Sequence, residues 1–150
     1  MHDLQVPIAD KVAALKSAML RMPQWQAEPH TKHFFADGVY ARWLARPAGV
    51  TIVGRVHKRE HLYFVVSGTI KVTTDEGIRE ITGPQIVLSK PGTQRAVYAV
   101  TDALCVVFVR YDSESRDLGD VEAELVEADP ESPYLPGNQL PLLGETACRS

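Results

Sequence analysis

The chain has little cysteine, few tryptophans and no long apolar run, and each shortage excludes something. Its two cysteines, Cys105 and Cys148, form neither a CxxC pair nor a disulfide framework, which fits a reducing compartment. The longest apolar stretches, such as 103–109, fall far short of the roughly 20 residues a membrane-spanning helix needs. Residues 1–11 lack the cationic-then-apolar pattern of a targeting segment. A cytoplasmic location with no membrane partner is therefore expected. No stripe of Lys and Arg with interleaved aromatics appears, which argues against nucleic acid as a partner. Also missing are G-x-S-x-G, the P-loop and G-x-G-x-x-G, so the common hydrolase, nucleotide and dinucleotide fingerprints are excluded.

What remains is ordinary in amount and unusual in distribution. At 150 residues, 45% hydrophobic and 23% charged, the chain can bury the core of one domain. Residues 1–111 carry 14 Lys and Arg against 9 Asp and Glu, whereas residues 112–150 carry 2 against 10. An acidic end can simply be a solubilising tail. The sharper reading lays it over a basic face, its own or a neighbour's.

Ile8, Val12, Leu15 and Met19 recur at helical spacing, which predicts an amphipathic helix. Asp10 or an earlier residue would cap it and Pro23 would end it. Residues 24–38 read as an irregular connection holding His30 and His33. From Val39 onward the pattern is all β. Short strands are expected at 39–45, 51–57, 61–67, 69–74, 78–81, 86–88, 95–100 and 103–110, with Gly-, Pro- and Asp-containing turns between them. Many short strands with regular punctuation argue for an antiparallel sandwich or a jelly-roll barrel. A second helix is expected within 117–128, with Leu118, Val121 and Leu125 on one side. Four prolines beyond it predict an extended or disordered arm, held down by Tyr134, Leu135, Leu140, Leu142 and Leu143. The division is thus 1–38 helix and connection, 39–111 β-barrel, and 112–150 acidic, Pro-rich arm. Trp25 and Trp43 read as packing residues.

Chemistry concentrates in residues 49–68. Side chains alternate between the faces of a strand, so Thr51, Val53, Arg55 and His57 share one face, and His61, Tyr63 and Val65 share another. The short polar turn Lys58-Arg59-Glu60 suits a hairpin. In that register Arg55, His57 and His61 converge on one spot.

This stretch resembles the first cupin motif, G-x5-H-x-H-x3,4-E-x6-G. Aligned on Gly68, His61 stands at the motif's Glu, His57 at its second His and Arg55 at its first. Residues 83–99 match the second motif, G-x5-P-x-G-x2-H-x3-N, more loosely: Gly92 takes the second Gly, Lys90 stands where Pro would be, and Arg95 lands at the His. The resemblance covers roughly residues 39–110. The wording H-K-x-E-H with S-x-P-G-T-x-R is also similar to small cupin-like proteins of phage and prophage genomes. What the resemblance implies is a single jelly-roll barrel with an interior site. In the family that site holds a divalent metal such as Zn, Fe, Mn or Ni on three His and one Glu, for oxygenase, isomerase or lyase chemistry, or simply binds a ligand.

The site departs from that pattern. Only His57 is the expected ligand, and arginine has no lone pair to give a metal. A metal on His57 and His61 alone is short of the three protein ligands of a catalytic zinc. His33 is a candidate third ligand, and Tyr63 could offer a phenolic oxygen. The alternative is an anion site. Arg55, Arg95, His57, His61 and Tyr63 would hold a carboxylate- or phosphate-bearing small molecule through charge-assisted bonds. A binding module, of accessory or regulatory kind as in the phage proteins, and a metal-dependent enzyme both stay open. For Arg55 and Arg95 the bland alternative is an ion pair with an internal acid or the acidic end. A homodimer is expected, because small jelly rolls leave sheet edges and apolar outer faces that a neighbour covers.

Overall fold

The computed structural model describes residues 6–129, so the expectations for the prolines and apolar residues of 130–150, and for Cys148, lie outside the described residues. In chain order the elements are α1 (Ile8–Met19), a 3-10 turn (Glu28–His30), β1 (Thr31–Ala36), β2 (Val39–Arg46), β3 (Thr51–Val53), β4 (His61–Ser67), β5 (Thr69–Thr74), β6 (Gly77–Thr82), β7 (Gln85–Ser89), β8 (Ala96–Ala99), β9 (Ala103–Arg110) and α2 (Leu118–Leu125). The strands pair antiparallel as two sheets, in the orders β1-β2-β9-β4-β7 and β3-β8-β5-β6. Among the described residues no ladder joins the two sheets, so the strands form a two-layer arrangement rather than a closed barrel.

Period-two alternation accounts for the layers. In β9, Ala103, Cys105, Val107 and Val109 are buried while the residues between them are more exposed. Val109 belongs to a second cluster, and the other three meet Leu44, Tyr63, Val65, Ile70, Val72 and Ile81 in the main core. A fully buried aliphatic side chain contributes roughly 1.5–3 kcal/mol, so this cluster outweighs any single polar contact described below.

Two expectations need correction. The sheet begins at Thr31, inside the stretch read as an irregular connection. In β1 the alternation is real, but its more buried side holds Thr31, His33 and Phe35 while Lys32 and Phe34 lie on the other. Neither face is uniformly apolar, so hydrophobicity does not reveal it. The hairpin between 51–57 and 61–67 does not form. β3 ends at Val53 and pairs with β8, whereas β4 pairs with β7 and β9 in the other sheet. The backbone between them bonds elsewhere: Gly54 N–H donates to the Arg95 carbonyl (2.9 Å), His57 N–H to Thr93 (3.1 Å) and Lys58 N–H to Leu125 (2.9 Å). Residues 54–60 are a crossing between sheets.

The acidic end docks on this frame in its first part. The Asp117 carboxylate caps α2 by accepting from Asp120 N–H at 3.1 Å. Val121 and Leu125 of α2 are buried against Tyr40, Val109 and Tyr111. In α1 the N-cap is Pro7, without a side-chain bond, and Asp10 lies in the first turn, where its charge suits the helix dipole. The helix stops at Met19, ahead of Pro23. No helix among the described residues is long and apolar enough to cross a membrane.

The outer face of the larger sheet is apolar. Ladder register sets Phe34, Ala41, Phe108, Leu62 and Leu88 in one row across all five strands, and Trp43, Val106, Phe64 and Ile86 in the next. Phe34, Leu62, Ile86, Leu88 and Phe108 are exposed. This is the kind of surface on which the expectation of a homodimer rests.

Candidate functional site

A cavity of about 630 Å³ lies between the sheets, with side chains of α1 and α2 completing its wall. The ladders decide what faces it. In β2 the inward set is Tyr40, Arg42, Leu44 and Arg46. Arg42 lies opposite Val107 of β9, and Val107 lies opposite Tyr63 of β4, so these three form one row across the sheet. His61 pairs with Ser89 of β7 at the end of the same sheet.

His57 and His61 meet, although by a route other than the expected hairpin. Their ring centroids are 4.2 Å apart with planes at 32°. His57 is held from the crossing segment by backbone bonds to Thr93 and Gly92 and by a bridge to Val126. His61, only 5% exposed, has Nδ1 at 3.1 Å from the Arg59 carbonyl. A carbonyl only accepts, so Nδ1 carries the proton and Nε2 keeps its lone pair. Burial, then the neighbouring His61, Arg42 and Arg95, push the His57 pKa from 6.5 down to about 3. Burial and Arg95 lower that of His61, against its bond to Arg59. Both rings are therefore neutral at pH 7.

Arg95 is tied to the frame. Its Nε and one terminal nitrogen donate to Ser89 Oγ (3.1 and 2.8 Å), and the other donates to the Thr73 carbonyl (2.9 Å). Arg55 lines the cavity, but its charge is met by the acidic end. Its guanidinium lies 2.8 Å from Glu122 and donates to the Glu127 carbonyl, so the tail does cover a basic face of its own chain. Tyr63 is buried against Cys105, with which its hydroxyl bonds; burial holds its pKa well above 10 and raises that of the thiol as well. Tyr63 is accordingly a neutral, packed residue. Of the tryptophans, Trp25 stacks on His30 and Trp43 lies on the outer face beneath Lys32 Nζ.

The residue that sequence reading missed is Arg42. Its Nε is buried without a hydrogen-bond partner, and among the described residues its guanidinium has no hydrogen bond or ion pair. A charge in that position costs free energy unless something meets it. Across the cavity, the acids that Lys16, Arg42, Arg46, Arg55 and Arg95 face among the described residues are Glu122 and Asp129. Asp129 pairs with Lys16 and Glu122 with Arg55, and among the described lining residues cations outnumber acids.

A resident metal does not fit this donor set. His33 is engaged with the Tyr40 hydroxyl at 2.6 Å, and among the described residues no group of three or more His, Cys, Asp and Glu could hold a metal. Arginines occupy the remaining places around the two imidazoles, and a guanidinium cannot ligate.

No protein-family model matches the sequence, and no curated protein matches it. Solved structures with a likeness to this one include the cupin domain of an XRE family transcriptional regulator from Enterobacter cloacae. It is 15% identical over 54% of this chain and 94% of that one, with a TM-score of 0.48. KdgF from Halomonas sp. is 17% identical over 57% of this chain and 84% of its own, also at 0.48. An acetylacetone dioxygenase from Acinetobacter johnsonii is 14% identical over 53% of this chain, which spans 58% of that protein, at 0.47.

Proposed function

We propose that the chain is a cupin-type jelly-roll protein whose interior cavity binds a small organic anion, and that it acts as a binding module rather than a metalloenzyme. Supporting the fold are the motif resemblance at 49–68 and the way β2-β9-β4-β7 faces β3-β8-β5-β6, an interleaved double-sheet order of the jelly-roll kind. Support for the ligand class comes from one observation above all: the buried Nε of Arg42, without a partner in a wall whose described residues hold more cations than acids. A carboxylate or phosphate would meet that charge with a charge-assisted bond. The neutral imidazoles of His57 and His61 would add polar contacts without adding charge. For an accessory or regulatory role, the support is the resemblance to phage and prophage proteins; the cavity has no bearing on it.

Calorimetric titration of the chain with carboxylates and phosphates, beside metal analysis of untagged protein, tests the reading. The expected result is saturable anion binding, and metal below stoichiometric amounts. Stoichiometric metal that disappears in His57→Ala, with no anion bound, would restore the metalloenzyme reading.

A further inference from the structure

Beyond the cationic cluster the cavity wall is apolar, with Leu44, Val97 and Val107 from the sheets, Met19 from α1, and Val121 and Leu125 from α2. A volume of about 630 Å³ suits an organic molecule of some size, since ligand pockets run from about 300 to 1,000 Å³. An anion of a few atoms would leave most of that space unfilled, and protein interiors carry few voids larger than a water.

The charge count is narrow. Lys16 and Arg55 are already met by Asp129 and Glu122, Arg46 donates to the Ala45 carbonyl and lies over the Trp25 ring, and Arg95 is spread over Ser89 and Thr73, which leaves Arg42 as the cation in need of a partner. His61 asks for something different. Its Nδ1–H is committed to Arg59, and its Nε2, an acceptor, has no donor among the described residues. A carboxylate only accepts, so it cannot serve both groups. An ammonium could donate, but the neighbouring guanidiniums disfavour a second cation. A hydroxyl meets the need without charge.

Resting on the anion reading above, we infer that the cavity takes a hydroxy-carboxylic acid with an apolar body. The carboxylate lies on Arg42, the hydroxyl donates to His61 Nε2, and the carbon skeleton packs on the apolar wall.

The test is calorimetric titration of the full chain with 2-hydroxyoctanoate, 3-hydroxyoctanoate, octanoate, lactate and inorganic phosphate, repeated on Arg42→Met and His61→Leu. At least one hydroxyoctanoate binds about tenfold or more tighter than octanoate, the loss expected when a ligand takes the His61 acceptor out of water without a donor to meet it. Lactate binds about a hundredfold or more weaker than 2-hydroxyoctanoate, because it buries five fewer methylenes. In His61→Leu the hydroxyl preference vanishes while octanoate still binds, and in Arg42→Met all the acids weaken. Equal binding of octanoate and both hydroxy acids, or lactate or phosphate as tight as the longer acids, would overturn the inference and leave the anion reading standing. A hydroxyl preference that survives in His61→Leu overturns it as well. Should that variant fail to fold, the wild-type ranking alone decides. No binding by any anion of the panel overturns both.

Discussion

The two sides of the cavity are held by different physics. Arg42, His61 and Tyr63 stand at ladder positions, paired to β9 or its neighbours. The other side, residues 54–60 with the acidic segment 112–129, is joined largely through side chains: Arg55 to Glu122, Arg59 to Asp112 and Glu124, and Lys58 Nζ to the Ala123 carbonyl. Ladder positions resist change because one shift moves a whole row. Partly exposed ion pairs are individually weak and are screened by salt. Arg42 and His61 thus sit on the rigid side, whereas His57, the apolar residues of α2 and the acids that neutralise spare cations sit on the yielding one.

The largest effect should come from breaking the ladder side. Gly68 joins β4 to β5 at φ +81°, and a Cβ there would lie 2.2 Å from the Asp102 carbonyl oxygen and 2.8 Å from Ala103 Cα. Neither neighbour is a flexible side-chain end, and a β-branched residue resists positive φ. Gly68→Val should cost more than about 4 kcal/mol. Circular dichroism would show loss of the cooperative transition; an unchanged melting temperature would contradict the turn.

Next is pH, which probes the histidine pair at the junction of the two sides. In the unfolded chain His57 titrates near 6.5, and in the folded chain near 3. Above pH 6.5 both states are neutral there and it contributes nothing. Between 6.5 and 3 the unfolded chain binds a proton that the folded chain refuses, so stability falls as pH falls, approaching about 1.4 kcal/mol per pH unit. Urea midpoints at pH 7, 5.5 and 4.5 should drop more steeply for wild type than for His57→Leu. Parallel curves would place His57 in water.

The smallest effect belongs to the yielding side. Arg55 and Glu122 side chains are 29% and 23% exposed, so Glu122→Gln should cost under about 1 kcal/mol, and less still at high salt. A salt-independent loss above about 2 kcal/mol, read from denaturant curves, would show the acidic segment to be part of the rigid frame.

This contrast also explains what the sequence made legible. β4, β5 and β9 run where alternation and Gly or Asp turns put them, because one face of each is buried. Partner choice was harder. The polar residues 58–60 look like a hairpin turn, yet the bonds that route 54–60 across to the other sheet come from Arg95, Thr93 and Leu125, all distant in sequence. The closeness of His57 and His61 survived because four residues limit their separation whatever the pairing. Arg42 was hidden by parity. In β2 the set Val39, Ala41, Trp43, Ala45 is more apolar than Tyr40, Arg42, Leu44, Arg46, so alternation alone would turn the arginines to solvent. The opposing strand settles it, since the buried residues Cys105, Val107 and Val109 of β9 lie across from Leu44, Arg42 and Tyr40.

One paired measurement tests the central claim, that Arg42 is kept for a ligand rather than for the fold. Arg42→Met and Arg95→Ala would each be followed by denaturant unfolding and by titration with the tightest anion found. Arg95→Ala strips the partner from Ser89 Oγ, so it should lose stability as well as affinity, roughly 1–3 kcal/mol for the unmet group. Arg42→Met removes a charge with no partner among the described residues, so stability should hold or rise while affinity falls about tenfold or more. If Arg42→Met instead loses stability as Arg95→Ala does and binds the anion unchanged, Arg42 serves the fold and the account is wrong.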